Sequence, residues 1–209
     1  MKQRILLTGF EPFAGASRNP SQEAVELVAQ SFTADNAELH TAVLAVEFAQ
    51  AQEQLAELIE HIDPTIIVCV GVAGGRSAIT PERVAINLAD ARIPDNSGAA
   101  PIDQPIVENA PAAYFTTLPV KKAVTEMNAQ GIPASLSYTA GTYVCNAVMY
   151  AILHATAGTE TRAGFLHVPD VFDDKVMVTL AELAWGITTC LHVFCETHED
   201  THISMGRED

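Results

Sequence analysis

Four cysteines, seven histidines and 26 acidic residues are the raw material for chemistry in this chain, and their settings differ. Cys145 lies in Ala140-Gly-Thr-Tyr-Val-Cys-Asn146, after a predicted strand and where a helix is expected to begin. Small residues on the approach permit a tight strand-to-helix turn, and the positive end of a helix stabilises a thiolate. A thiol held there is an activated nucleophile. Cys69 within Ile-Ile-Val-Cys-Val, and Cys190 and Cys195 on the last apolar segment, read instead as small buried hydrophobes. There is no CxxC pair, and four cysteines are too few for a disulfide scaffold, so all are read as reduced thiols.

A cysteine nucleophile needs a base. His167 is the best placed, closing the run Gly164-Phe-Leu-His-Val168 just before Pro169. In an open α/β sheet the C-terminal ends of strands face the ligand crevice. His40, His61, His154 and His192 fall within or at the ends of predicted elements and lack that setting. A third group should orient the imidazole. Glu82, Asp90, Asp95 and Asp170 all qualify, and the residues alone do not choose among them.

His198-Glu-Asp-Thr-His202 has the HExxH spacing of zinc peptidases. That chemistry needs both histidines on one rigid helix face, with a further ligand beyond them. Here the motif sits in a polar terminus followed by seven residues, of which only Glu208 and Asp209 are acidic. No metal site is read from it. Neither GxxxxGK[ST] nor GxGxxG occurs, so no nucleotide cofactor is expected.

These residues must be positioned by something, and the pattern supplies candidates. Short β-branched runs alternate with longer amphipathic stretches, which predicts an α/β layer fold. Strands are expected at Arg4–Thr8, Thr41–Val46, Thr65–Val70, Val84–Leu88, Ala134–Ser137 and Gly164–Val168. Helices are expected from Asn19-Pro20 to about Ser31, then over Phe48–His61, Val120–Gln130, Cys145–Ala157 and Val176–Cys195. The stretch from Gly71 to Gly98 is rich in glycine and turns, and loops of that length carry function disproportionately. Residues 196–209 read as a frayed polar tail.

The chain has 209 residues, of which 48% are apolar and 18% charged, enough for one sizeable core and incompatible with disorder. With 11 Lys and Arg against 26 Asp and Glu, the net charge is −15. Such a surface repels phosphate backbones, so neither nucleic acid nor anionic membrane is an expected partner. No apolar run approaches the ~20 residues of a membrane span. The start, Met1-Lys-Gln-Arg-Ile-Leu-Leu-Thr-Gly9, lacks the long apolar stretch of a secretory signal, which points to the cytoplasm.

The assembled residues resemble the pyroglutamyl peptidase I family of cysteine peptidases, also called pyrrolidone-carboxylate peptidases. The likeness runs in order through Leu7-Thr-Gly-Phe-Glu-Pro-Phe13, Asn19-Pro20, Ala73-Gly-Gly-Arg76, Glu82-Arg-Val-Ala-Ile-Asn87, Asp90-Ala-Arg-Ile-Pro-Asp-Asn96, Thr139-Ala-Gly-Thr-Tyr-Val-Cys-Asn146 and Phe165-Leu-His-Val-Pro169. It implies a single catalytic domain over 1–209, a three-layer α/β/α sandwich with a mixed, mainly parallel sheet. It also implies a homotetramer or other homo-oligomer. Cys145 would be the nucleophile, His167 the general base and acid, and Glu82 the orienting carboxylate, a role that rests on the resemblance alone.

The substrate implied is a peptide beginning with cyclised glutamate, cleaved through an acyl-enzyme without metal or organic cofactor. Phe10 and Phe13 suit a flat, uncharged ring, Asn19 could pair with its lactam amide, and Tyr143 would form an aromatic wall. By the same resemblance Arg92 would lie near the reacting carbonyl. Two positions depart from many relatives. Val72 stands where a Gln is common, and Tyr143 stands where some members have Phe.

Overall fold

The computed structural model describes residues 2–206. Its centre is a five-stranded sheet in the order β2-β1-β3-β7-β4. The strands are β1 (Gln3–Phe10), β2 (Ala37–Leu44), β3 (Ile66–Val72), β4 (Thr80–Pro81) and β7 (Arg162–Val168). Only β4 runs antiparallel to its neighbour; the β1–β2, β1–β3 and β3–β7 pairs are parallel. A separate two-stranded ribbon joins β5 (Val84–Ile86) to β6 (Ala113–Phe115).

Strands buried on both faces need apolar side chains at nearly every position. That is why Ile5-Leu-Leu7 and Ile66-Ile-Val-Cys-Val70 are fully buried runs without alternation. Five helices cover the sheet: α1 (Pro20–Ser31), α2 (Phe48–Ile62), α3 (Val120–Ala129), α4 (Val144–Ala155) and α5 (Leu180–Glu196). Helices α1, α3 and α5 bury one face with Ile5, Leu7, Val68, Val70 and Leu166. Helices α2 and α4 bury the other with Leu6, Ile67, Cys69 and Phe165. The result is a single-domain α/β/α sandwich with a mixed, mostly parallel sheet.

The order β2-β1-β3 means that the chain leaves β1 to one side and returns to the other. Beside the C-terminal ends of β1 and β3 lies the crevice where doubly wound sheets bind ligands. Phe10 ends β1 and Val72 ends β3 there. His167 is the penultimate residue of β7, and Thr80 of antiparallel β4 pairs with it, so β4 starts at the same rim.

Several sequence expectations shift. β2 begins four residues earlier than Thr41, because Gln3 to Phe10 pair with Ala37 to Leu44 along their whole length. At Ala45 the chain leaves the ladder and its N–H donates to the Gln54 side chain. The expected strand at Ala134–Ser137 reduces to two isolated bridges, Ile79 to Ala134 and Glu82 to Ser137. β6 has no strong sequence signal: three residues, with Ala113 and Phe115 exposed. The last helix starts at Leu180 rather than Val176, because Thr179 and Glu182 form a reciprocal capping box that overrides the apolar run before it.

From Thr197 to Gly206 the chain is not helical, yet the expected fraying does not extend through it. The Asp200 carboxylate accepts from the Lys121 and Lys122 N–H groups at the start of α3, Lys121 Nζ donates to the Ile203 carbonyl, and Met205 packs on the core. The last three residues, with Glu208 and Asp209, lie outside the described residues.

Candidate active site

Cys145 is held by the start of α4. The helix begins at Val144, one residue before the expected start, so Cys145 is its second residue. Tyr143 at the cap position offers no side-chain acceptor, which leaves the first-turn N–H groups uncapped and aimed outward. Gly141, at φ +78°, makes the turn that delivers the chain to this end. Asn146 fixes the helix from the other side: its Oδ1 accepts from Ile86 N–H, and its Nδ2 donates to the carbonyls of Ile86 and Leu88. The Cys145 sulfur lies over Gly71, where an added Cβ would come within 2.9 Å of Sγ and 2.8 Å of the Phe165 ring.

Gly71 pairs with His167 across β3 and β7. His167 and Phe165 alternate onto the same face of β7, the one that carries α4, with ring centroids 4.8 Å apart. His167 Nδ1 lies 2.7 Å from Glu82 Oε1. An ionised carboxylate only accepts, so Nδ1 carries the proton and Nε2 keeps its lone pair. That is the tautomer a general base requires. Glu82 is fully buried and follows β4, its N–H donating to the Phe165 carbonyl.

Among the four candidate carboxylates, Glu82 is the one hydrogen-bonded to His167. Asp95 is occupied by the N–H groups of Phe48, Ser97 and Ala99. Asp170 accepts from Phe172 N–H, and Asp90 is exposed. Arg76 went unread as a site residue, although it closes the quoted Ala73-Gly-Gly-Arg76 block. Its Nη1 donates to Glu82 Oε1 at 2.7 Å and to Thr80 Oγ1, and its Nη2 donates to the Thr139 carbonyl. Glu82 Oε2 is buried and has no partner among the described residues.

A cavity of about 350 Å³ opens over this cluster. Cys145, His167, Phe10, Phe13, Asn19 and Tyr143 all line it, joined by Val46, Val72, Arg76 and Thr139. Tyr143 packs on Phe13 and meets Phe48 edge-on, and its hydroxyl donates to the Pro94 carbonyl. Asn19 caps α1 through Oδ1, which accepts from Ser21 N–H and Oγ, while Nδ2 donates to the Glu11 carbonyl. One Nδ2 hydrogen remains. Val72 presents no hydrogen-bonding side chain to the cavity. Arg92 is exposed on its turn and lines no part of the cavity; the guanidinium that reaches it belongs to Arg76.

Electrostatics here run against one sequence expectation. Burial pushes the Cys145 thiol up to about 12, with the Glu82 charge adding to the rise. A helix terminus supplies only about 0.3–2 kcal/mol against that burial. Burial also lowers His167 below its ordinary value; Glu82 opposes that shift and Arg76 adds to it. Both shifts favour the neutral forms, thiol and imidazole. Cys69 and Cys190 are buried and likewise pushed up to about 12, consistent with packing roles. The His198–His202 segment is not helical, so its spacing does not put both rings on one face.

Comparison with known proteins gives the family of the chain as a whole. The family model described as pyroglutamyl peptidase matches residues 3–183. The chain belongs to the pyroglutamyl peptidase family. The pyrrolidone-carboxylate peptidase of Clavibacter michiganensis is 42% identical over 98% of this chain and 99% of its own. That of Thermococcus onnurineus is 49% identical over 83% of this chain and 86% of its own. The crystal structure of pyroglutamyl peptidase I from Bacillus amyloliquefaciens superposes with a TM-score of 0.92 at 38% identity, covering 98% of this chain and all of that one. Family membership makes this chain a cysteine-type exopeptidase.

Proposed function

We infer that the protein removes N-terminal pyroglutamate from peptides, with Cys145 as nucleophile, His167 as base and acid, and Glu82 as the group that orients it. The observation carrying this reading is the His167–Glu82 hydrogen bond beside a cysteine at an uncapped helix start, all on one apolar-walled cavity. The pyroglutamyl ring lies between Phe10, Phe13 and Tyr143, and the free Nδ2 hydrogen of Asn19 donates to its lactam carbonyl.

Attack is coupled to proton transfer, in keeping with a thiol that burial holds toward its protonated form. The Cys145 sulfur bonds to the pyroglutamyl carbonyl carbon as its proton passes to His167 Nε2. Glu82 stabilises the imidazolium through Nδ1–H. The N–H groups at the start of α4 receive the oxyanion, a role in which one donor is worth roughly 2.7–4 kcal/mol. His167 then protonates the leaving amine, and the C–N bond breaks to give a thioester. Water, deprotonated by His167, attacks that thioester and releases free pyroglutamate and the thiol.

This chemistry calls on no metal or organic cofactor. Among the described residues no helix is long and apolar enough to cross a membrane. We place the enzyme in the cytoplasm, as one catalytic domain and as a homo-oligomer, in line with its acidic, reduced-thiol composition and its family. The direct test is release of a fluorogenic amine from a pyroglutamyl amide, with the prolyl amide as control. Equal turnover of both, or of neither, sinks the assignment.

A further inference from the structure

A second cavity, about 700 Å³ in volume, adjoins the first. Gly75, Ser77, Ala78, Thr80, Ser135, Ser137 and Tyr138 line it, and Arg76 and Thr139 line both cavities. Its position follows from the sheet order. Moving along the rim, Phe10 ends β1, Val72 ends β3, His167 stands one residue from the end of β7 and Thr80 begins β4. The ring pocket lies over the first two, the acid–base group over the third, and the second cavity over the last.

That sequence matches the order of groups along a bound substrate. The imidazole that protonates a leaving amine stands on the leaving-group side of the scissile bond. Whatever follows the cleaved bond must therefore extend past His167, away from Phe10 and toward β4. The second cavity is what it meets. Its walls are hydroxyls (Ser77, Thr80, Ser135, Ser137, Thr139) and one half-exposed ring, Tyr138, at 42% exposure. Gly206 also lines it, Arg76 is its one charged lining residue among the described residues, and the Arg76 Nη groups are already engaged by Glu82, Thr80 and the Thr139 carbonyl. The hydroxyls of Thr80, Ser137 and Thr139 are already hydrogen-bonded within the protein, so those of Ser77 and Ser135 are the ones to pair with peptide N–H and C=O groups, and the ring gives a flat surface to pack on.

We propose that this second cavity binds the peptide segment following the scissile bond, taking two or more residues of the leaving peptide. The inference rests on the pyroglutamyl reading of the first cavity. Binding energy from such remote contacts is expressed in kcat/KM, not only in KM.

The test is a length series on the intact enzyme: pyroglutamyl coumarinyl amide, then pyroglutamyl peptides with one, two and three residues after the ring. In the wild type, kcat/KM should rise by about tenfold or more from one residue to three, the size of effect a filled pocket gives. Ser135→Trp, which fills the cavity, and Tyr138→Ala, which removes its ring, should each lower the ratio of three-residue to one-residue kcat/KM by about fivefold or more. A flat wild-type series overturns the proposal even if Ser135→Trp does not fold. An unchanged ratio in a folded Tyr138→Ala together with a folded Ser135→Trp also overturns it. If the coumarinyl amide itself is not cleaved, the reading of the first cavity fails, which is a separate result.

Discussion

Gly71 faces His167 across the β3–β7 pairing, and the space its missing side chain leaves is where the Cys145 sulfur sits. Cys145 and His167 are brought together by a strand register and an absent methyl group. Gly71→Ala would put a Cβ 2.9 Å from Sγ and 2.8 Å from Phe165 Cζ, both inside van der Waals contact. The expected outcome is a loss of at least about tenfold in kcat, because small misplacements of reacting groups are costly. Overpacking should also cost about 1–3 kcal/mol of stability. Steady-state kinetics alongside urea denaturation checks both; wild-type kcat would remove Gly71 from the account.

The acid limb of the pH–rate profile tests the neighbours of His167. Its protonation switches off the base, and burial lowers its pKa, so activity should appear as pH rises through a midpoint below 6.5. Glu82 raises that pKa and Arg76 lowers it. Glu82→Gln should therefore move the limb to lower pH, and Arg76→Gln should move it to higher pH. Glu82→Gln should also reduce kcat by about a hundredfold or more, through loss of the oriented tautomer. Shifts in the same direction for both variants would contradict the arrangement.

Thiol chemistry should report access and burial separately. Cys145 is half-buried on a cavity, whereas Cys69, Cys190 and Cys195 are buried in the core. Iodoacetamide should mark Cys145 first and abolish turnover, and Cys145→Ser should be inactive. With the thiol raised to about 12, the thiolate fraction keeps growing with pH, so the labelling rate should climb through pH 9 without levelling. A plateau with a midpoint under 7, read by mass spectrometry of timed aliquots, would show a preformed thiolate instead.

Asn19 carries two jobs that one substitution separates by readout. Asn19→Ala removes the α1 cap and should cost about 0.5–2 kcal/mol of stability. It also removes the spare Nδ2 donor, and should cost about 1–3 kcal/mol in kcat/KM for pyroglutamyl over cyclopentyl-carbonyl substrates. Phe13→Ala should raise KM. A stability loss without change in substrate discrimination would leave Asn19 a cap and nothing more.

How far the sequence reaches is visible in these same residues. Cys145 and His167 stand out because each sits at the end of an element whose pattern is strong, and element ends are where chemistry is exposed. The sandwich follows from unbroken apolar runs such as Ile66 to Val70. Glu82 could not be singled out from Asp90, Asp95 or Asp170, since its partner lies 85 residues away and β4, which carries the chain to it, is two residues long. Arg76 was missed for a related reason: an arginine after glycines reads as solvated until the fold places a buried carboxylate beside it. The raised Cys145 thiol depends on how deeply packing covers the sulfur, which no local spacing encodes.

β4 has a consequence for how this enzyme should fail. The carboxylate bonded to His167 follows the shortest strand of the sheet, joined to β7 through Thr80, Pro81 and the Glu82 N–H and on its other side to residues 134–137 through the Ile79 and Glu82 bridges. Short segments whose outer partner is itself irregular chain open by local fluctuation before the molecule unfolds globally. On warming, the Glu82–His167 contact should therefore be broken while β1, β3 and α4 are still intact. Loss of turnover should precede loss of circular dichroism, and it should reverse on cooling. Hydrogen exchange should follow the same order, with the Glu82 amide exchanging faster than those of Val68 and Val70 in the centre of the sheet.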